Sequence, residues 1–161
     1  MCCISPPSLC WKRFFVLVGG GGYQTADLFK PADLKLNLEA IDLPDGSIDL
    51  IIANHVLEHV DDRLASQELS RILRPNGLLL CMVPIVEGWQ ETYENLAITD
   101  DEGRMLHFGQ EDHVRFYGSD FRDRIAAGGF TLMNEVTATG DAVIRHGLVR
   151  GEKLFMFQKA A

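Results

Sequence analysis

The sequence has no run of basic residues and no apolar stretch approaching the roughly 20 residues that a membrane-spanning helix needs. Lysine and arginine number 15 against 23 acidic residues, a formal charge of -8. Nucleic acid and anionic membrane surfaces, which bind through clustered cations, are therefore not expected partners. Cysteine is sparse: Cys2, Cys3, Cys10 and Cys81 show neither zinc-ligand spacing nor the density of a disulfide scaffold, which predicts reduced thiols in a cytoplasmic protein. Internal repeats, low-complexity tracts and linkers are missing too, so 161 residues with 47% hydrophobic content predict a soluble single domain around one core. Lys12 and Arg13 precede FFVLV, a superficial likeness to a secretion signal. The basic pair lies too far into the chain, the apolar piece is short and no small-residue cleavage site follows, so secretion is not expected.

What is present is concentrated in residues 45–84, DGSIDLIIANHVLEHVDDRLASQELSRILRPNGLLLCMVP. Ile48, Leu50, Ile51, Ile52 and Ala53 form a near-continuous apolar run without polar alternation, as expected of a strand covered on both faces in a parallel sheet. Beyond Asn54 the period changes, and Leu64, Leu69, Ile72 and Leu73 recur at helical spacing with charged residues between them. Pro75, Asn76 and Gly77 stop the helix, and a second apolar run over residues 78–83 ends at Pro84. Strand, helix and strand in this order predict a βαβ crossover whose right-handed closure lays the two strands side by side.

The order of DGSID, an apolar strand, NHVLEHVDD, a helix carrying EL and R, and RPNGLLL resembles the small-molecule methyltransferases that use S-adenosylmethionine. The likeness is close over residues 43–84 and looser over most of the chain. It implies an α/β, Rossmann-like, mostly parallel sheet with helices on both faces and an antiparallel C-terminal strand. The cofactor, S-adenosylmethionine, would lie across the carboxyl ends of the strands, where open α/β sheets bind ligands. The resemblance implies that Asp27, ending a second strand over residues 23–26, accepts hydrogen bonds from both ribose hydroxyls, with Leu28 beside it. Leu38 or Glu39, at the exit of a third strand over residues 36–39, would face the adenine. Asn54 and His55 would border the methionine portion, and His59 would point toward the substrate cavity. The residues themselves also permit plainer roles: a turn cap for Asp27 in DLFKP, and pairing of His59 with Asp61 or Asp62. Residues 30–33 are too few for a full helix between the second and third strands.

Two readings of the N-terminal segment compete. Residues 16–22, VLVGGGG, suit a strand and a glycine loop that lets the backbone approach a nucleotide. Too few residues then separate Gly22 from Asp49 for the helix, strand, helix and strand this fold places between them, so the glycines are better read as a turn into strand 23–26. The alternative makes residues 2–5 the first strand and residues 6–15 the first helix, with Pro6 or Pro7 in its first turn. A subset of the family has such a strand running into a Ser-Pro loop, which places Ser5 among the donor contacts, although Pro and Ser stand here where an acidic residue is usual. Residues 1–22 are thus expected to form a divergent first strand and helix.

His55, Glu58 and His59 also spell H-x-x-E-H, which on a helix presents two imidazoles on one face to a zinc ion. That use needs a third ligand and a helical context, whereas here the motif follows directly on a buried strand. A zinc hydrolase stays a minor alternative, and no metal is expected.

Residues 85–118 depart from the generic fold and are expected to form a substrate or lid insertion within the one domain. EGWQETYEN at residues 87–95 lacks a period and suits a loop over a pocket, with Trp89 and Tyr93 as acceptor contacts. Residues 104–118 hold a dense set of hydrogen-bonding groups, His107, Gln110, His113, Arg115 and Tyr117 among them. An HFGQ, DHVR and YG segment also accompanies the core in the family subset, which implies a substrate loop. The plainer reading braces His113 and Arg115 against Asp112 and Asp120. Ser119 or Asp120 should cap a helix over FRDRIAA that Gly128 and Gly129 end, strands should follow over 130–136 and 153–158, and the 140–151 connection should be exposed.

The chemistry implied is in-line displacement of a sulfonium methyl by an oxygen, nitrogen or carbon nucleophile. The protein's share is alignment and exclusion of water, effects worth up to about 7–11 kcal/mol. Where the acceptor must lose a proton, His107 or His113 is the expected base. The acceptor is expected to be a small polar molecule. A fold relative that has lost catalysis, and a homodimer, both stay open.

Overall fold

The computed structural model describes residues 14–20 and 22–160. In chain order its elements are β1 (Phe14–Gly19), β2 (Gly22–Asp27), β3 (Leu34–Lys35), β4 (Ile48–Asn54), a short 3-10 turn (Leu57–His59), α1 (Asp62–Ile72) and β5 (Leu73–Met82). There follow β6 (Tyr93–Glu94), α2 (Asp101–Phe108), β7 (Arg115–Phe116), α3 (Phe121–Ala127), β8 (Phe130–Thr137), α4 (Gly140–His146) and β9 (Lys153–Lys159). The central sheet has the order β3-β2-β1-β4-β5-β9-β8, and β6 and β7 form a separate ribbon. β2 and β3 are parallel, as are β4 and β5, whereas β1 is antiparallel to both its neighbours and β9 to both of its own. β2, β3, β4, β5 and β8 thus run one way, so the sheet is mostly parallel in direction, with β1 and β9 opposed.

The expected βαβ unit forms. Asp61 caps α1 by accepting hydrogen bonds from the Arg63 and Leu64 amides. The C-terminal carbonyls of Arg71 and Ile72 accept from the Gly46 and Ser47 amides. The Arg71 guanidinium donates to Glu68, to Asp45 Oδ1 at 2.6 Å and to the carbonyls of Ile41 and Leu43. DGSID and the helical E-L-x-R thus tie the loop before β4 to the end of α1. Pro75, Asn76 and Gly77 interrupt pairing between Ile48↔Leu73 and Leu50↔Leu78. They form an irregularity within β5, with Asn76 at φ 63.

β1 corrects the N-terminal expectation. Residues 6–15 were expected to form a helix, but Phe14 and Phe15 belong to a strand, in keeping with the aromatic and β-branched sequence FFVLV. The strand stands between β2 and β4 but is reversed, with Phe14 opposite Asn54 and Val18 opposite Leu50. The glycines make the hairpin into β2, as the spacing argument requires, with Gly20 at φ 60. The turn therefore lies at the amino end of β4. Residues 2–5, and Ser5 with them, lie outside the described residues.

One face of the sheet holds the core. Ile51, Ala53, Leu79, Cys81, Phe155 and Phe157 are fully buried, and α1 and α3 pack against each other and against β5 and β8 respectively. The alternate residues Leu50, Ile52, Leu78, Leu80 and Met156 are half-buried. β4 is thus less completely covered than its continuous apolar run predicts. β3 occupies residues 34–35, earlier and shorter than the expected 36–39, and no helix stands between β2 and β3. β8, β9 and the Gly128–Gly129 stop match expectation, whereas the exposed 140–151 connection contains the unforeseen α4. Asp120 does not cap α3 with its side chain, because its Oδ1 accepts from Thr92 Oγ1 at 2.7 Å.

The 85–118 segment folds down as the β6–β7 ribbon and α2. Gly118 permits its return, since a Cβ there would meet the Glu91 carbonyl at 2.6 Å and the Trp89 oxygen at 2.9 Å. Gly118→Ala is expected to destabilise the protein by about 1–3 kcal/mol through overpacking, read as a lower urea midpoint at an unchanged slope.

Candidate functional site

At the carboxyl ends of β2 and β4 a cleft of about 100 Å³ is lined by Ala26, Asp27, Leu28, Leu36, Leu38, Val56, His59 and Val60. A larger groove of about 460 Å³ lies between α1 and α3, with Arg63, Asp120, Asp123 and Arg124 among its lining. Volume favours the second. Location at the strand ends favours the first, because ligands of open α/β sheets bind there.

The structure brings Asp27, Leu28, Leu38 and His59 together in the cleft wall. Asp27 Oδ1 accepts from the Phe29 and Lys30 amides at 2.8 and 2.7 Å, so the turn-capping role is present at the same carboxylate that faces the cleft. Glu39 is directed elsewhere: its Oε1 accepts from the Asp61 amide at 2.8 Å and ties the post-β3 loop to the start of α1. Asn54 and His55 are at the tip of β4 but do not line the cleft. Val56, Val60 and Leu36 do. For Val56 and Val60 the signal in the sequence was an apolar position on either side of LEH.

His55 turns the chain out of β4 at φ 53. Its Nε2 is 3.1 Å from Glu152 Oε1 and its Nδ1 3.4 Å from Glu58 Oε1. Burial by itself lowers the His55 pKa, but the two carboxylates outweigh it and the net shift is upward. Only a 3-10 turn follows, so His55 and His59 do not share a helical face, and the zinc-hydrolase arrangement lacks its scaffold. His59 pairs with neither Asp61 nor Asp62. Its Nδ1 is 2.9 Å from the Asp112 carbonyl oxygen and 3.5 Å from Asp112 Oδ1.

The insertion divides into exposed and buried groups. Trp89, Tyr93, His107 and Gln110 are exposed, and the Tyr93 hydroxyl is 2.7 Å from His107 Nδ1. Arg115 and Tyr117 were expected to bind the acceptor, yet both are buried. Arg115 donates to the Leu57 and Val60 carbonyls and to Glu94 Oε2, and its Nη2 lies 3.9 Å from Asp62. The Tyr117 hydroxyl lies 3.1 Å from both Leu57 O and Asp62 Oδ2. They brace the insertion against the start of α1, with Asp62 and Glu94 as anions rather than the expected Asp112 and Asp120. Arg124, which also binds both acids, was not foreseen. His113 is 3% exposed, with its ring edge-on to His59 at 4.7 Å. No helix among the described residues is long and apolar enough to cross a membrane.

Residues 23–81 match the family described as "Methyltransferase domain". No curated protein matches the chain. Among solved structures, a Burkholderia thailandensis 1,6-didemethyltoxoflavin-N1-methyltransferase with bound 1,6-didemethyltoxoflavin and S-adenosylhomocysteine aligns at TM-score 0.58 and 15% identity, over 84% of this chain and 60% of that one. An S-adenosylmethionine dependent methyltransferase from Mesorhizobium loti aligns at TM-score 0.54 and 14% identity, over 81% and 71%. A chain from a complex of the Haloferax volcanii Trm112 methyltransferase activator with a methyltransferase aligns at TM-score 0.55 and 15% identity, over 82% and 64%. At such identities the likeness concerns the fold, and this chain spans less than two thirds of the Haloferax and Burkholderia proteins. Residues 23–81, from β2 into β5, thus match a methyltransferase-domain family, and the chain shares the Rossmann-like fold of S-adenosylmethionine-dependent methyltransferases of known structure.

Proposed function

We propose that the chain binds S-adenosylmethionine and transfers its methyl group to a small polar acceptor. The observation that carries this reading is the position of Asp27 at the carboxyl end of β2, in the wall of a cleft whose lining includes the apolar Leu28, Leu36, Leu38 and Val56. A carboxylate there accepts from ribose hydroxyls while the apolar side chains cover an adenine face. At about 100 Å³ the cleft is smaller than the roughly 300–1,000 Å³ of drug-sized ligand sites, so it suits the nucleoside part alone. Bound there, the donor supplies a methyl already activated by its sulfonium. The residues of this chain bind and orient: Asp27 fixes the ribose, and Trp89, Tyr93 and Gln110 on the exposed insertion contact the acceptor. His107, beside the Tyr93 hydroxyl, is the candidate base in this reading; His113 is too enclosed for that task.

The reversed β1 favours a second reading, a binding protein of the same fold without turnover. Its glycine turn is at the far end of the sheet, so among the described residues no glycine loop meets the donor's amino-acid end.

Calorimetric titration with S-adenosylmethionine and S-adenosylhomocysteine, followed by assay of S-adenosylhomocysteine formation with candidate acceptors, separates the readings. Micromolar binding is expected. Asp27→Asn keeps the Oδ1 acceptor of the turn but removes the charge, and a lost charge-assisted pair of about 1.5–3 kcal/mol weakens binding by about 10- to 100-fold. Absence of saturable binding at millimolar donor defeats both readings.

A further inference from the structure

We propose that Glu58, His59 and His113 form a site for one divalent transition-metal cation of the zinc class, clipping the exit of β4 to the segment before β7. One ligand-capable atom from each lies within 4.8 Å of the others. The set differs from the H-x-x-E-H reading, because His113 from a distant part of the chain replaces His55.

Glu58 supplies the independent observation. Its side chain is 1% exposed, yet neither carboxylate oxygen accepts a hydrogen bond. The nearest cationic groups are His55 Nδ1 at 3.4 Å and His59 Nε2 at 4.0 Å from Oε1. These ion pairs with His55 and His59 are long, and coordination of a cation is a stronger way to offset the cost of burying the carboxylate. His59 is oriented as metal-bound histidines usually are. The Asp112 carbonyl can only accept, so Nδ1–H donates to it at 2.9 Å, and in the neutral ring the lone pair is then on Nε2, which lies 4.0 Å from Glu58 Oε1. His113 is held in register by the hydrogen bond from the Val114 amide to the Glu58 carbonyl at 3.0 Å.

Two imidazoles with one carboxylate favour zinc, nickel or iron over magnesium and calcium. Bonds of about 2.0–2.2 Å put tetrahedral ligands roughly 3.3–3.5 Å apart. The three atoms therefore close by about an ångström on binding, within the reach of side-chain rotation. His59 also lines the strand-end cleft, so the cation would stiffen that wall. The proposal does not depend on donor binding.

The test is titration of the chelator-stripped full chain with zinc chloride, followed by calorimetry and thermal unfolding, with X-ray absorption at the zinc edge. One equivalent is expected to bind and raise Tm, with nitrogen and oxygen bound to the zinc at about 2.0–2.1 Å. Glu58→Gln and His113→Gln are each expected to weaken binding by about 100-fold or more, since loss of an outer partner alone costs about 10–100-fold. His55→Gln removes only a group 3.4 Å from the Glu58 carboxylate and should cost about 10-fold, clearly less than loss of a ligand. Absence of one-to-one binding, sulfur ligation at about 2.3 Å by the cysteines, or equal loss in His55→Gln overturns the proposal. The absorption measurement on the unmodified chain decides even if the variants do not fold.

Discussion

Asp62→Ala is expected to destabilise the protein by about 3–5 kcal/mol, the cost of breaking a buried ion pair and leaving its partner uncompensated. The Asp62 side chain is 1% exposed at the start of α1 and takes a bidentate pair from Arg124, Nε at 2.7 Å and Nη2 at 2.8 Å. Arg115, itself 6% exposed, lies 3.9 Å away, and the Tyr117 hydroxyl completes the group. Without the carboxylate, Glu94, which is more exposed and already bonded to each, is the one carboxylate left to both guanidiniums. The check is equilibrium urea unfolding. A loss below about 1 kcal/mol would place the pair with surface salt bridges and sink the argument. Replacing Asp62 and Arg124 together by Leu and Met should cost less than Asp62→Ala, since it leaves one guanidinium, Arg115, without that carboxylate rather than two.

The same group sets an acid limit. Burial alone raises the Asp62 pKa, but the Arg124 hydrogen bonds, the Arg115 and Arg124 charges and Tyr117 outweigh it, so its carboxyl titrates below the usual range when folded. A depressed folded pKa gives stability that is fully present above the unfolded value, about 3.9. That stability is lost as pH falls through the folded one. Asp62→Asn should therefore flatten the fall of stability below about pH 4, measured as urea midpoints against pH. An unchanged acid limb would show that other carboxylates control it.

Phe121→Ala is expected to cost about 3–5 kcal/mol, through the lost transfer of the ring and the cavity left behind. Phe121 is fully buried at the start of α3, with its ring 4.8 Å from Tyr117, 4.9 Å from Phe155 and 6.2 Å from Phe157. These edge-on contacts join the insertion, the last helix of the core layer and β9 at one point, so collapse around a missing ring is restricted. Phe121→Leu, which retains most of the volume, should lose much less. Similar midpoints for Ala and Leu would mean that the layer repacks freely.

The sequence made the α/β unit legible because periodicity is a local property. Residues 48–54 and 62–82 carry their strand and helix patterns within single windows, and Asp61, Arg71 and the 46–47 turn have partners nearby in the unit they close. The resemblance to methyltransferases, rather than periodicity, implied that Asp27, Leu28, Leu38 and His59 lie near the strand ends, and the structure places all four in one cleft wall. Arg115 and Tyr117 illustrate the limit. Polar side chains in a loop look alike in sequence whether they face a ligand or a buried carboxylate, and Asp62 stands 53 and 55 residues from them.

By itself the sequence determined the crossover around residues 45–84, the role of the glycines as a turn into the second strand and the likeness to methyltransferases, because each rests on short-range pattern. Only the tertiary structure decided that β1 fills the first strand's place in reverse, since strand direction depends on pairing with β4 rather than on FFVLV. The structure alone also decided that His113 comes within 4.8 Å of the neighbouring Glu58 and His59 while Asp62 meets Arg115 and Arg124. Those charges are brought together by folding over long separations, and their energies depend on the burial that folding creates.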